Sequence, residues 1–109
     1  MVLPESLRPP LEAFTARLRD VFGDSLREVR LFGSYARGEA DEDSDVDVLV
    51  IVDDLTNLEI GVVAGEAAPI ILVSGIALAP LPMSTERIDE LRRTGRPLAL
   101  DLDRDGIVV

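Results

Sequence analysis

A chain of 109 residues with no His, Cys or Lys and a net charge of −10 at neutral pH is long enough for one domain with one core. It is closed to thiol, imidazole and Schiff-base chemistry, to disulfides, to zinc held by its usual ligands and to the lysine of a P-loop. Carboxylates, hydroxyls, backbone and eleven Arg remain, and residues 41–66 hold nine acids and no base. Such an acidic stretch argues against a DNA duplex as partner, since phosphate backbones are met by basic patches. It fits a metal–nucleotide complex or a basic protein. No apolar run is expected to span a membrane. The N-terminus lacks the charged and apolar regions of a signal peptide, so the expectation is a cytoplasmic chain.

In chain order, Pro9-Pro10 suits a helix start, and Leu11, Phe14, Leu18, Val21 and Phe22 follow helical spacing up to a stop at Gly23. Residues 26–32 read as a strand. Residues 34–37 read as the first turn of a short helix stopped by Gly38. Residues 45–52 form the next strand, apolar on both faces from 48 to 52 and therefore covered on both sides.

Strand alternation puts Asp45 and Asp47 on one face. Two carboxylates so placed repel unless a cation lies between them. Magnesium is the natural ion, because it takes oxygen ligands and shares them with substrate phosphates. The Gly33-Ser34 turn, standing after one strand and ahead of the acidic pair, can hold a phosphate through backbone N–H groups. The plain alternative is a solvated acidic loop, and Asp41, Glu42 and Asp43 are assigned to it. A calcium loop starting at Asp41 fails, with Val46 where glycine is needed and Val52 where glutamate is needed.

Further on, Thr56 to Glu59 forms a capping box. Residues 60–73, interrupted by Pro69, are either one kinked helix or a helix followed by a strand, ending near Ser74-Gly75. A third strand is expected over residues 76–81. Ser84 or Thr85 then caps a helix carrying Ile88 and Leu91 and stopped by Gly95. Arg92, Arg93 and Arg96 suit its C-terminal dipole. Residues 97–104 give a last helical turn or two, and Ile107 to Val109 an edge strand. The fold class is α/β (α+β): a small mixed sheet packed with helices, expected as a single domain over residues 1–109.

Phe32-Gly33-Ser34, Ala36-Arg37-Gly38 and Ser44-Asp45-Val46-Asp47 stand in the order that marks the minimal nucleotidyltransferases, small relatives of the DNA polymerase beta superfamily, and the chain resembles that family. The resemblance implies the polymerase beta-like nucleotidyltransferase fold and favours one helix up to about residue 73. It implies metal-dependent transfer of a nucleoside monophosphate from an NTP, ATP first, to a hydroxyl on a protein or RNA. Asp45 and Asp47 would ligate two Mg2+ ions and serve as the catalytic pair. Gly33, Ser34 and Arg37 would bind the nucleotide. Active members carry a third carboxylate on the next strand, and residues 76–81 have none. An antitoxin-like binding protein that neutralises a HEPN-type ribonuclease toxin therefore stays open beside the enzyme. The oligomeric state stays open as well, a homo-oligomer included.

Overall fold

A computed structural model of the chain describes residues 3–41 and 43–109; Met1, Val2 and Glu42, one of the three acids assigned to the loop, lie outside the described residues. Helix α1 (Arg8–Phe22) starts with proline in its first turn, where a missing N–H has no helical acceptor to lose. Its Leu11, Phe14, Leu18 and Phe22 form one buried stripe. Gly23 closes it at φ 56° and leads through a short 3-10 turn into β1 (Leu26–Phe32). Helix α2 (Gly33–Arg37) follows without a linker and ends on a left-handed Gly38. Strand β2 (Val46–Val52) runs antiparallel to β1, with Asp47 opposite Phe32.

Helix α3 (Asn57–Ser74) opens on the reciprocal capping box of Thr56 and Glu59, passes through Pro69 and ends on a left-handed Gly75. Residues 60–73 are thus one helix. It is also long and apolar enough to cross a membrane by length and composition, at a mean hydropathy of 1.4, against the expectation from the sequence. Here it forms the crossover that two parallel strands require, with Val63 and Ala67 in the core.

Strand β3 (Leu78–Ser84) pairs parallel to β2, two to three residues later than the sequence suggests. Helices α4 (Thr85–Arg93), capped by Ser84, and α5 (Pro97–Asp105) come next. A short β4 (Ile107–Val108) pairs antiparallel to β1, giving the sheet order β3-β2-β1-β4.

Strand parity divides the packing. Val46, Val48, Val50 and Val52 face α1 and α3 in the larger cluster. Leu49 and Ile51 face α4 and α5, with Ile88, Leu91, Ala99 and Leu102. Arg92 on α4 reaches Asp103 on α5 at 3.0 Å and fastens the two helices. That hydrogen bond holds the guanidinium's pKa above its ordinary value. On β3, Pro80 and Pro82 stand opposite Val48 and Val50 in an unbroken ladder. Proline has no N–H, so the ladder's donors are Ala79, Leu81 and Met83, and both prolines turn to the outer edge.

Candidate active site

The site forms where β1 ends, α2 begins and β2 starts beside them. The antiparallel register sets Asp47 opposite Phe32, so the next residue, Gly33, lies against the Asp47 side chain. Gly33 has φ 72°, a conformation that glycine adopts freely. A Cβ built there would overlap the Asp47 Oδ2 and stand 3.2 Å from its Cγ. Glycine at this position does two things at once: it makes the turn, and it lets a carboxylate close on the first residue of α2.

A cleft of about 360 Å³ opens at this point, lined by Phe32, Gly33, Ser34, Arg37, Asp47, Leu98, Asp101 and Asp105. Gly33, Ser34, Arg37 and Asp47 thus share one cleft. Asp45 sits just before the strand, exposed to solvent. Partial burial and then the charge of Asp45 push the Asp47 carboxyl above its ordinary pKa, while Arg37 pulls it back. The strand starts at Val46 and not at Asp45 as expected, and of the acidic pair Asp47 lines the cleft while Asp45 does not. The donor set suits a hard divalent cation, which takes oxygen ligands and would offset the repulsion that raises Asp47.

Arg37 donates from Nε to the Glu39 carboxylate at 3.0 Å. Its charge also reaches Asp105, whose carboxyl lies below its usual range mainly through the hydrogen bond from Arg104. Tyr35 packs against the larger cluster, its hydroxyl 3.5 Å from the Asp41 carbonyl. Asp41 accepts from the Asp43 N–H at 2.9 Å, an Asx turn at the surface.

No acid lies on β3, where Ala79 stands opposite Asp47. Glu59 and Glu66 do not replace it. Glu59 belongs to the capping box, and Glu66 accepts from Arg17 of α1 at 2.7 Å, on the sheet face away from Asp47. Among the described residues, no three carboxylates converge tightly enough to hold one ion. Sequence reasoning missed Asp101 and Asp105, which α5 brings to the cleft. The spacing Leu98, Asp101, Asp105 places all three on one helical face, and that was the available signal.

The chain is 47% identical to the protein adenylyltransferase MntA of Thermococcus cleftensis over 58 residues, which are 53% of this chain and 57% of that protein. The chain spans about half the length of the curated relatives it matches. A solved minimal nucleotidyltransferase superimposes with a TM-score of 0.64 at 30% identity, covering 100% of this chain and 97% of that one. A toxin–antitoxin crystal structure with AMP-PNP superimposes at 0.58 and 21% identity, over 89% of this chain and 70% of that one, a likeness of fold alone. The nucleotidyltransferase domain model matches residues 12–93. The match runs from α1 through the glycine turn and acidic pair to the end of α4, so the chain belongs to the nucleotidyltransferase domain family.

Proposed function

We propose that this chain is a cytoplasmic, metal-dependent adenylyltransferase that moves AMP from ATP to a hydroxyl on a protein. The observation that carries this reading is the contact of Asp47 with Gly33 beside Ser34, under the charge of Asp45. It supports a reading in which Asp47, with Asp45 nearby, draws a cation next to a turn suited to phosphates. Asp45 and Asp47 would hold the ions, two Mg2+ by the family's habit. Such ions supply Lewis-acid charge to phosphate oxygens and lower the pKa of an attacking hydroxyl. Gly33 and Ser34 would position the terminal phosphates by backbone N–H groups and the Ser34 hydroxyl. Arg37 would exchange Glu39 for a phosphate. The acceptor oxygen bonds to the α-phosphorus, the α–β bridging P–O bond breaks, and pyrophosphate leaves with that electron pair while the acceptor gives up its proton to solvent water. The relative's activity as a protein adenylyltransferase favours a protein acceptor over RNA.

A second reading rests on the carboxylate missing from β3. It is an antitoxin-like binding protein, weak in turnover, whose acidic surface masks a basic HEPN-type ribonuclease toxin. The fold shared with a toxin–antitoxin structure supports it.

Calorimetry with ATP and Mg2+ separates the site from its absence. The wild-type chain should bind, and the double variant Asp45→Asn/Asp47→Asn should bind at least about tenfold more weakly, a loss of ~1.4 kcal/mol or more. Equal affinity would overturn the site. Labelled AMP incorporated into a co-expressed protein partner, and lost in Asp47→Ala, would favour the enzyme. Binding without incorporation would favour the second reading, and label in RNA would change the acceptor.

A further inference from the structure

Helix α5 supplies one wall of the cleft, and none of the phosphate and cation roles proposed above uses it. Leu98, Asp101 and Asp105 line the cleft from α5, while Gly33, Ser34 and Arg37 line it from α2. A carboxylate accepts hydrogen bonds and donates none. It also repels a phosphate unless a cation joins them. Among the described residues no three carboxylates converge on one ion, so Asp101 and Asp105 do not complete a cation site with Asp47. What a nucleotide offers an acceptor-only group is its nucleoside end, through the ribose hydroxyls and the base amino group.

Hydrogen bonds separate the two acids of α5. Arg104 takes both oxygens of Asp105, with Nε 3.2 Å from Oδ1 and Nη2 2.9 Å from Oδ2. The same Nη2 donates to Asp101 Oδ1 at 3.1 Å. Asp101 Oδ2 has no partner among the described residues. Asp105 is thus fully engaged within the helix, whereas Asp101 is held in place with one oxygen to spare.

Position along the helix adds a direction. Asp105 lies within reach of the charge of Arg37, the guanidinium proposed to meet a phosphate. Asp101 stands one turn earlier, about 6 Å along the axis, and Leu98 about 4.5 Å beyond it. Leu98 packs with Phe32 on the smaller core cluster, and both show the cleft an apolar surface. Cationic group, acceptor and apolar surface follow one another along α5, as phosphate, sugar and base follow one another in a nucleotide.

We propose that Asp101 is the sugar contact: its spare oxygen accepts from a ribose hydroxyl and makes the cleft selective for a ribonucleoside triphosphate over its deoxy analogues. The inference rests on the nucleotide reading of the cleft and adds a sugar specificity to it. Ribose is the donor rather than adenine, because the sugar adjoins the phosphates, one turn from Asp105. The adenine amino group, moreover, is flanked by ring nitrogens that are themselves acceptors and would repel the carboxylate. The bland alternative is a solvated ion pair, since the Asp101 side chain is 54% exposed. Such a pair contributes little and gives no reason for one sugar to bind better than another.

Calorimetry on the full chain in Mg2+ tests this with ATP, 2′-dATP, 3′-dATP, ITP and inorganic tripolyphosphate. Wild type should bind ATP at least about tenfold more tightly than one of the two deoxy analogues, the loss expected when a hydrogen bond to a charged group goes unmade. ITP, which lacks the amino group, should bind like ATP. Asp101→Ala should weaken ATP by about the same factor and bring the deoxy analogues level with it. Asp101→Asn, whose amide oxygen still accepts, should keep part of the preference. Tripolyphosphate has no sugar and should bind Asp101→Ala no more weakly than wild type. Melting temperatures of both variants control for folding. Equal affinity of wild type for ATP and both deoxy analogues would overturn the sugar contact while ATP binding stands. So would a preference that survives in Asp101→Ala or follows the loss of the amino group in ITP. A weaker hold on tripolyphosphate in Asp101→Ala would overturn it too, by placing Asp101 on the cation. Absence of ATP binding, or ATP binding indifferent to Asp45→Asn/Asp47→Asn, would instead overturn the nucleotide reading of the cleft and this inference with it.

Discussion

The two faces of β2 are built from the same strand and do opposite things. Toward α1 and α3 its residues are Val46, Val48, Val50 and Val52, all buried. Toward α4 and α5 they are Leu49 and Ile51, buried, and then Asp47, half-exposed at the cleft. The difference teaches how a small domain keeps a charged site without weakening its core. Alternation assigns side chains to faces at no cost, and one step along the strand separates a residue that water must not reach from one left open to it. Asp47 sits at the strand's mouth, beside the start of α2 and under α5.

The sharpest way to break this contrast is to move the charge one face over. Val50 is 0% exposed. Val50→Asp should cost several kcal/mol, since an unpaired charge would be buried or forced to protonate, and domain stability is itself about 5–15 kcal/mol. The expected outcome is an unfolded or insoluble protein by circular dichroism and solubility assay. A folded, soluble Val50→Asp protein would mean that this face is not closed. Gly33→Ala tests the other side. Left-handed strain and overlap with Asp47 should together cost about 1–3 kcal/mol of stability, read by thermal melts. ATP binding should fall with it, because the added methyl pushes the carboxylate from the turn. The smallest effect is electrostatic. The folded-state pKa of Asp47 is raised, so its ionisation opposes folding: the penalty is absent below the unfolded value and appears as pH rises through the folded one. In metal-free melts, Asp47→Asn should gain a small advantage over wild type that opens as pH rises above the ordinary Asp value of about 3.9. An advantage that shrinks as pH rises would reverse the sign and remove the penalty that burial and then Asp45 place on the Asp47 charge.

Most of the fold was legible because the chain punctuates itself. Prolines in the first turn of α1 and α5, the Thr56–Glu59 box, Ser84 before α4 and glycines at positive φ after α1, α2 and α3 all act locally. A start signal needs only its own turn to be read. Strand β3 was placed early because Ala77 and Leu78 look alike to a pattern, whereas the ladder to Val46 decides where pairing begins. At the site, the order of glycine turn and acidic pair was visible, and with it the parity of Asp45 and Asp47. The close approach of Asp47 to Gly33 was not, since it depends on the register between β1 and β2. Asp101 and Asp105 were hidden for the same reason: nothing local says that α5 folds back over the cleft.

The prolines on the outer edge of β3 bear on a hazard at the centre of the sheet. Residues 48–52 form an uncharged run, β-branched at every position but Leu49, of the kind that stacks into cross-β fibrils when exposed. In the native sheet that run is shielded on one side by a strand whose outer edge lacks two donors and cannot template another chain. Along the sequence it is bracketed by Asp45 and Asp47 before it and Asp53 and Asp54 after it, charges of the sort that hold such segments apart in the unfolded state. Charges in these positions act as gatekeepers during synthesis and refolding. Variants that neutralise Asp45 or Asp47 should lose part of that protection.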